Sequence, residues 1–121
     1  MTNDSKTVIF DLEERTASFG EAVLEFVKMI PRSPMNDPLV SQLVRAATSV
    51  GANYCEADDS VSKRDFRNKI GICRKESRET KHWLRMIGVA NSEHKPRARR
   101  LWVEAKELNL IFSKIFRSCG D

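Results

Sequence analysis

The segment from Pro38 to Asp58 constrains the fold more than any other part of the chain. Apolar and small residues recur along it in two adjoining rows at helical spacing, so the predicted helix has a buried arc wider than one neighbouring helix covers. The rows are Leu39, Leu43, Ala46, Val50 and Ala57, and Val40, Val44, Ala47, Gly51 and Cys55. Small residues where the rows meet allow helix backbones to approach closely. The segment is therefore predicted to be the central helix of a bundle.

Three further segments carry an apolar seam with helical periodicity. Together with the central segment, the predicted helices span residues 11–30, 38–58, 62–89 and 93–117. We expect Asp37 to cap the second helix, with Pro38 at its first position, and Ser62 to cap the third. The connections are short and no segment alternates like a strand. The predicted fold is all-α, a single domain over residues 1–121 that forms an antiparallel up-down-up-down four-helix bundle.

Features that would indicate a membrane, secreted or metal-binding protein are missing from the sequence. No apolar run approaches the ~20 residues that a membrane span requires, and the polar start MTNDSKT lacks the apolar core of a signal peptide. We therefore expect a cytoplasmic protein with no membrane contact. Three cysteines without a CxxC pattern argue against disulfides and zinc. Cys55 and Cys73 fall on apolar rows and are predicted to be reduced core residues.

Charge is distributed unequally along the chain. Residues 1–61 hold five Lys and Arg against ten Asp and Glu, a balance of −5, whereas residues 62–121 hold sixteen against seven, a balance of +9. Such a split indicates either an anionic partner for the second half or complementary faces that meet within an assembly.

Most of the positive charge forms two clusters. On a helical projection of the third helix, six cations fall on one arc with no acid among them: Lys63, Arg67, Arg74, Arg78, Lys81 and Arg85. We call this set the basic stripe. A second cluster, Lys95, Arg97, Arg99 and Arg100, opens the fourth helix, where cations are slightly unfavourable. Both are candidate nucleic-acid contacts. Two alternatives stay open for the stripe: a solvated face, or a contact with the acidic first helix of a neighbouring subunit.

A second polar set lies on the other flank of the third helix and on the central helix. Asn53 points the same way as Ala46, and a buried amide needs a hydrogen-bond partner, which we expect another helix to supply. We predict that Asn53 and Glu56 form a buried or interfacial hydrogen-bond network with Glu76 or Glu79. Lys69 or Arg45 would complete this network. Trp83, on the same flank as Glu76, would then anchor a subunit interface.

Enzymatic chemistry finds little support in the residues. The run from Glu79 to His82 matches one Glu-x-x-His element of di-iron bundles, but such a site needs a second element and two further glutamates. No catalytic residue, metal or cofactor is therefore expected. Trp102, Phe112 and Phe116 occupy core spacing, so we predict core or interface positions for them rather than a base-stacking platform.

Several motifs resemble those of a known family. They are Ser49-Val50-Gly51-Ala52-Asn53 with Glu56, then Ser62-Lys63 with Asp65-Phe66, then Lys75-Glu76-Ser77-Arg78-Glu79-Thr80 with Trp83-Leu84, and more loosely Glu107-Leu108. In this order they are similar to the small bacterial four-helix bundle proteins encoded inside intervening sequences of 23S ribosomal RNA genes. The resemblance implies a left-handed antiparallel bundle that assembles as a homopentameric ring with a central opening.

The accessory proteins of diversity-generating retroelements are similar as well, and they bind nucleic acid together with a reverse transcriptase. The resemblance therefore implies RNA or DNA and a second protein as partners, beside other copies of the chain. Two functions stay open. The first is a non-enzymatic homo-oligomeric scaffold that binds RNA or DNA through the basic stripe. The second is a structural or protein-interaction ring in which the same cations form subunit contacts.

Overall fold

The computed structural model describes residues 4–120, with side chains described from residue 11 onward. The helices are α1 (Asp4–Val27), α2 (Asn36–Asp58), α3 (Lys63–Ala90) and α4 (Lys95–Ser118), with a 3₁₀ turn at Ser92–His94. Each helix packs against the next, and α4 also contacts α1. The predicted antiparallel up-down-up-down four-helix bundle is confirmed, and the described residues contain no strand.

The bounds of α1 differ from the prediction at both ends. The helix begins at Asp4, inside the predicted polar tail, whose first three residues lie outside the described part of the chain. At the other end, the N–H of Met29 donates to the Phe26 carbonyl at 3.0 Å, and the N–H of Ile30 donates to the Val27 carbonyl at 3.1 Å. These tight bonds end the α-helix at Val27 rather than at residue 30.

The start of α2 is also different from the prediction. The side chain of Ser33 accepts the N–H of Asn36 at 2.9 Å, and its carbonyl accepts the N–H of Asp37 at 2.9 Å. Ser33 followed by Pro34 therefore provides the cap one turn earlier than expected. Asp37 accepts two hydrogen bonds from Arg32 instead, and these hold the pKa of its carboxyl below the ordinary value.

The start of α3 and the central position of α2 are confirmed. The side chain of Ser62 accepts the N–H of Asp65 at 3.0 Å. Six residues of α2 lie in the core: Leu43, Ala46, Ala47, Val50, Tyr54 and Ala57. A Cβ placed on Gly51 would lie 3.3 Å from the Thr16 hydroxyl, so the small residue allows α1 to approach α2. The prediction for Cys55 is wrong, because its side chain is exposed at the edge of the buried arc.

The two interhelical connections at one end of the bundle are joined by a pair of amides. Asn36, which is 5% exposed, donates to the Asn91 side-chain oxygen at 3.0 Å, and Asn91 donates back at the same distance. Asn36 also donates to the Pro31 carbonyl, and Asn91 to the Ile87 carbonyl. This exchange fixes the α1–α2 connection against the α3–α4 connection.

Candidate nucleic-acid interface

A groove of about 1120 Å³ runs between α3 and α4. Its α3 side is formed by Gly71, Arg74, Lys75, Arg78, Glu79, Lys81, His82 and Arg85, and its α4 side by Trp102, Asn109, Ser113, Phe116 and Arg117. We call it the α3–α4 groove. It holds six Lys and Arg side chains and one acid. Four of the six cations belong to the predicted basic stripe.

Helical spacing explains why these residues share the groove. Arg74, Arg78, Lys81 and Arg85 succeed one another by four, three and four positions, which keeps them on one face of α3. On α4, Trp102, Asn109 and Phe116 are seven positions apart. Asn109 fixes the two helices together, because it donates to the Arg74 carbonyl at 2.8 Å and to the Ser77 hydroxyl at 3.2 Å.

Phe116 forms one end of the groove floor and supports two arginines. The guanidinium carbon of Arg67 lies 3.9 Å from the centroid of the Phe116 ring, and that of Arg74 lies 4.8 Å from it. A Cβ at Gly71 would lie 3.0 Å from Cε1 of Phe116, so glycine at position 71 leaves room for the ring, which a side chain there would displace by a few tenths of an ångström. Nε of Arg67 is buried there with no hydrogen-bond partner among the described residues.

Trp102 forms the other end of the floor. Nζ of Lys81 lies 5.5 Å from the centroid of the Trp102 ring system, and Nζ of Lys106 lies 5.9 Å from it. Trp102 and Arg85 also line a second depression of about 410 Å³, which continues the groove toward the start of α4. Its other lining residues are Leu84, Gly88, Val89, Lys95, Ala98 and Arg99.

The groove cations have no acidic partner among the residues whose side chains the structure describes. Among residues 11–120, none of the six groove cations takes part in a salt bridge. The one groove acid, Glu79, pairs with Arg45 of α2. The groove is therefore a concentration of positive charge that the described part of the chain does not neutralise, and such a surface attracts anionic ligands.

The structure does not bring all ten predicted cations together. Arg74, Arg78, Lys81 and Arg85 line the groove, Lys95 and Arg99 line its extension, and Arg67 lies on Phe116. The others lie apart: Lys63 lines a separate depression beside Phe66 and Cys119, Nη1 of Arg97 lies 3.8 Å from the Met29 sulfur, and Arg100 is exposed.

The predicted polar set does not form one network. Arg45 donates to both Glu76, at 3.2 Å, and Glu79, which links α2 to α3. Although burial lowers it, the pKa of Arg45 is raised, because Glu79 and Glu76 both accept its hydrogen bonds. Arg45 and Lys69 were predicted as alternative partners in one network, but they form salt bridges with different carboxylates.

The rest of the set is separate from the Arg45 cluster. Nζ of Lys69 lies 2.7 Å from the Glu56 carboxylate, and the hydrogen bond to Glu56 raises the pKa of Lys69. Asn53 donates to the carbonyl and hydroxyl of Ser49, both at 2.9 Å. The prediction that another helix supplies the partner of Asn53 is wrong. The side chain is only half-buried and reaches back along α2 to Ser49.

Trp83 and Cys73, two further residues of the sequence predictions, both lie on α3 and differ in burial. Trp83 is half-buried, and its indole N–H donates to Glu79 at 3.5 Å, on the flank away from the groove. Cys73 is fully buried, as predicted. Its thiol donates to the Val50 carbonyl at 3.5 Å, and burial raises its pKa to about 12, so it stays a protonated core residue.

Comparison with known proteins identifies the family. The family model described as 23S rRNA-intervening sequence protein matches residues 10–114, most of the chain. The chain belongs to the 23S rRNA-intervening sequence protein family. It is also similar to a crystal structure at 1.70 Å resolution of a protein with unknown function from the S23 ribosomal protein family of Bacteroides thetaiotaomicron. That likeness covers 90% of this chain and 97% of the other, with 24% identity and a TM-score of 0.81, and it concerns the fold. No curated protein matches the chain.

Some of the residues that carry the resemblance to the 23S rRNA-intervening sequence protein family lie in the packing between helices. Val50, Ser77 and Thr80 are buried, and Glu76 lies at the contact between α2 and α3. The motif residues Lys75, Arg78 and Glu79 line the groove. Its other charged and aromatic residues, Arg74, Lys81, Arg85, Trp102, Phe116 and Arg117, stand outside the motifs. Over residues 4–120, no helix combines the length and apolar character that crossing a membrane requires. The same residues offer no group of three His, Cys, Asp or Glu that could hold a metal ion.

Sequence reasoning located one wall of the groove and missed the other. Phe112 is buried in the core, as predicted. Trp102 and Phe116 also pack against the core, but their half-buried rings line the groove as well, which the prediction did not include. The available signal was their spacing with Asn109, since positions seven apart on α4 form a row beside the apolar seam. A row of two aromatics and one amide facing a basic stripe would have indicated a shared surface.

Proposed function

We propose that this protein is a non-enzymatic, homo-oligomeric helical scaffold that binds RNA or DNA through the α3–α4 groove. The observation that carries the proposal is the groove itself. It gathers cations that form no salt bridge with residues 11–120 from two helices over an aromatic floor, and its single acid pairs with Arg45. Phosphate backbones bind such surfaces by releasing their counterions.

The dimensions of the groove support a polyanion rather than a single phosphate. Arg74 and Arg85 are eleven residues apart on α3, which corresponds to about 16 Å at ~1.5 Å per residue. Lys95 and Arg99 extend the positive charge beyond Arg85. A strand that follows this path meets cations along its whole length. In this proposal the bundle assembles with other copies of itself, because the proteins that its sequence resembles form homopentameric rings.

A second function is favoured by a different surface. Glu13, Glu14 and Glu21 line a depression of about 350 Å³ between α1 and α2, together with the exposed Cys55. This acidic surface complements the α3–α4 groove in charge. In a structural ring, the groove of one subunit would receive the acidic surface of the next, and no nucleic acid would bind.

Charge reversal separates the two functions. We expect the unmodified protein to bind labelled structured RNA and duplex DNA in fluorescence anisotropy, with affinity falling roughly a thousandfold between about 50 and 200 mM salt if six phosphates are engaged. The variant Arg74→Glu, Arg78→Glu, Lys81→Glu should lose this binding and keep its native mass. The matched control is Lys28→Glu, Arg64→Glu, Lys114→Glu, which changes the net charge equally at exposed positions outside the groove.

Each outcome of the charge-reversal experiment supports or rejects one of the two functions. Loss of affinity in the groove variant alone, with an unchanged oligomer, supports the scaffold that binds nucleic acid. Dissociation of the oligomer in the groove variant alone supports the structural ring. Absence of binding of single-stranded as well as duplex RNA and DNA by the unmodified protein at about 50 mM salt, where phosphate-driven affinity is strongest, rejects the nucleic-acid function.

A further inference from the structure

We infer that the α3–α4 groove takes a single-stranded polynucleotide, one base of which stacks on Trp102. This inference rests on the proposed function and names the class of nucleic acid. Trp102 is half-buried, so part of its ring system is open to the groove. It lies where the main groove meets its extension, and Lys81, Arg85, Lys95, Arg99 and Lys106 all lie around it.

The two aromatic residues of the floor are not equivalent. The face of Phe116 carries Arg67 at 3.9 Å, and this arginine is itself half-buried, with an enclosed Nε. A base could not displace it without reopening the packing around Gly71. The cations over Trp102 are lysine ammonium groups at 5.5 and 5.9 Å. Lysine side chains are flexible, so both can move aside to bind phosphates while the indole receives a base. Phe116 therefore positions arginines, and Trp102 is the stacking surface.

An aromatic side chain on a groove floor favours single strands for a physical reason. In a duplex the base faces are stacked on one another, and the protein meets only base edges and phosphates. An unpaired strand presents its bases to aromatic side chains, and such stacking tolerates any sequence because every base has a π face. Basic walls with an aromatic floor are the arrangement that single-strand binding proteins use.

The inference is tested with four labelled ligands of equal length in anisotropy at about 50 mM salt, where phosphate contacts are strongest: a single-stranded RNA, the same sequence as DNA, a DNA duplex and an abasic DNA strand. Trp102→Leu should weaken binding of both base-containing single strands by about 5- to 150-fold, the range for loss of one stacked base. It should leave binding of the duplex and the abasic strand unchanged. The ratio of the RNA and DNA affinities shows which strand the groove prefers. Trp83→Leu is the matched control, because Trp83 lies outside the groove.

A second measurement leaves Trp102 intact and so does not depend on how the variant folds. The chain has two tryptophans, so Trp83→Phe makes Trp102 the sole indole. Addition of the single-stranded DNA should quench its fluorescence, and addition of the abasic strand should not. Equal binding of duplex and single strand, with no quenching and no effect of Trp102→Leu, would overturn the inference and leave the proposed function standing. Failure of all four ligands to bind would instead reject the proposed function.

Discussion

Helix α3 carries charge on two flanks, and the flanks differ in where the partners of those charges come from. On the flank that faces α2, Glu76 and Glu79 pair with Arg45, and Lys69 pairs with Glu56. On the flank that faces the α3–α4 groove, the cations form no salt bridge with the described residues.

The charges on the α2 flank stabilise the folded bundle, whereas the charges in the groove do not. The side chain of Glu76 is only 9% exposed, and a buried carboxylate without a partner is destabilising, so the pair with Arg45 contributes to the stability of the bundle. The groove cations form no salt bridge with the described residues, and they repel one another. We therefore propose an external anionic partner as the reason for their placement over an aromatic floor.

The largest effect should come from neutralising the groove. In Arg74→Ala, Arg78→Ala, Lys81→Ala, the slope of log affinity against log salt should become shallower by about 2 to 3, because each phosphate contact contributes about 0.7 to 0.9. The midpoint of thermal unfolding should change little, since no described salt bridge is lost. Salt titrations by anisotropy, with Lys28→Ala, Arg64→Ala, Lys114→Ala as control, measure the slope. An unchanged slope would remove the functional distinction between the two flanks.

Removing Arg45 should lower stability and leave nucleic-acid affinity almost unchanged, the opposite of the groove variant. Arg45→Ala leaves Glu76 buried without its partner. Because half of the Arg45 side chain is exposed, we expect a loss of about 1 to 2 kcal/mol in the free energy of unfolding, between the values for surface and buried pairs. Denaturant unfolding measures this loss, and nucleic-acid affinity should stay within twofold. Restored stability in Arg45→Ala, Glu76→Gln would confirm that the unpaired carboxylate is the cause. A loss of affinity equal to that of the groove variant would contradict the comparison.

The contact between α2 and α3 should also weaken at high pH through Cys73. Burial raises the pKa of this thiol from 9.0 to about 12, so the folded state keeps the proton while the unfolded chain releases it. The resulting stability is complete below about pH 9 and is lost as the pH rises toward about 12. Relative to Cys73→Ala, the free energy of unfolding should fall by about 1 kcal/mol between pH 8 and pH 10. Parallel curves for the two proteins would show that the thiol is not held protonated.

The periodicity of the apolar residues made the fold predictable. The ends of the helices were harder to predict, because local hydrogen bonds determine them. Two apolar rows on one segment require neighbours on two sides, which places α2 at the centre whatever the details of the loops. The start of α2 depended on whether Ser33 or Asp37 accepts hydrogen bonds from the first backbone N–H groups of the helix. Both residues precede a proline. The sequence offers the same signal twice, and the observed cap uses the first.

The candidate site was predictable on α3 alone. Arg74, Arg78 and Lys81 share a face because of helical geometry, which sequence spacing determines. Which residues of α4 lie opposite them depends on the rotation of α4 about its axis, and a shift of one position turns Trp102 from a core residue into a groove residue. Polar pairing was harder still, since Asn53 satisfies its amide within its own helix.

Asn53 therefore gives the smallest expected effect and the finest test of the comparison. If its two bonds to Ser49 are its role, Asn53→Ala should cost less than about 1 kcal/mol, because the groups left behind are half-exposed and can bind water. Asn36→Ala, measured in the same denaturant series, should cost about 1 to 3 kcal/mol, since it leaves the Asn91 amide without its partner across the bundle. A larger loss at Asn53 than at Asn36, or a changed native mass in Asn53→Ala alone, would show that this amide acts between helices or subunits after all.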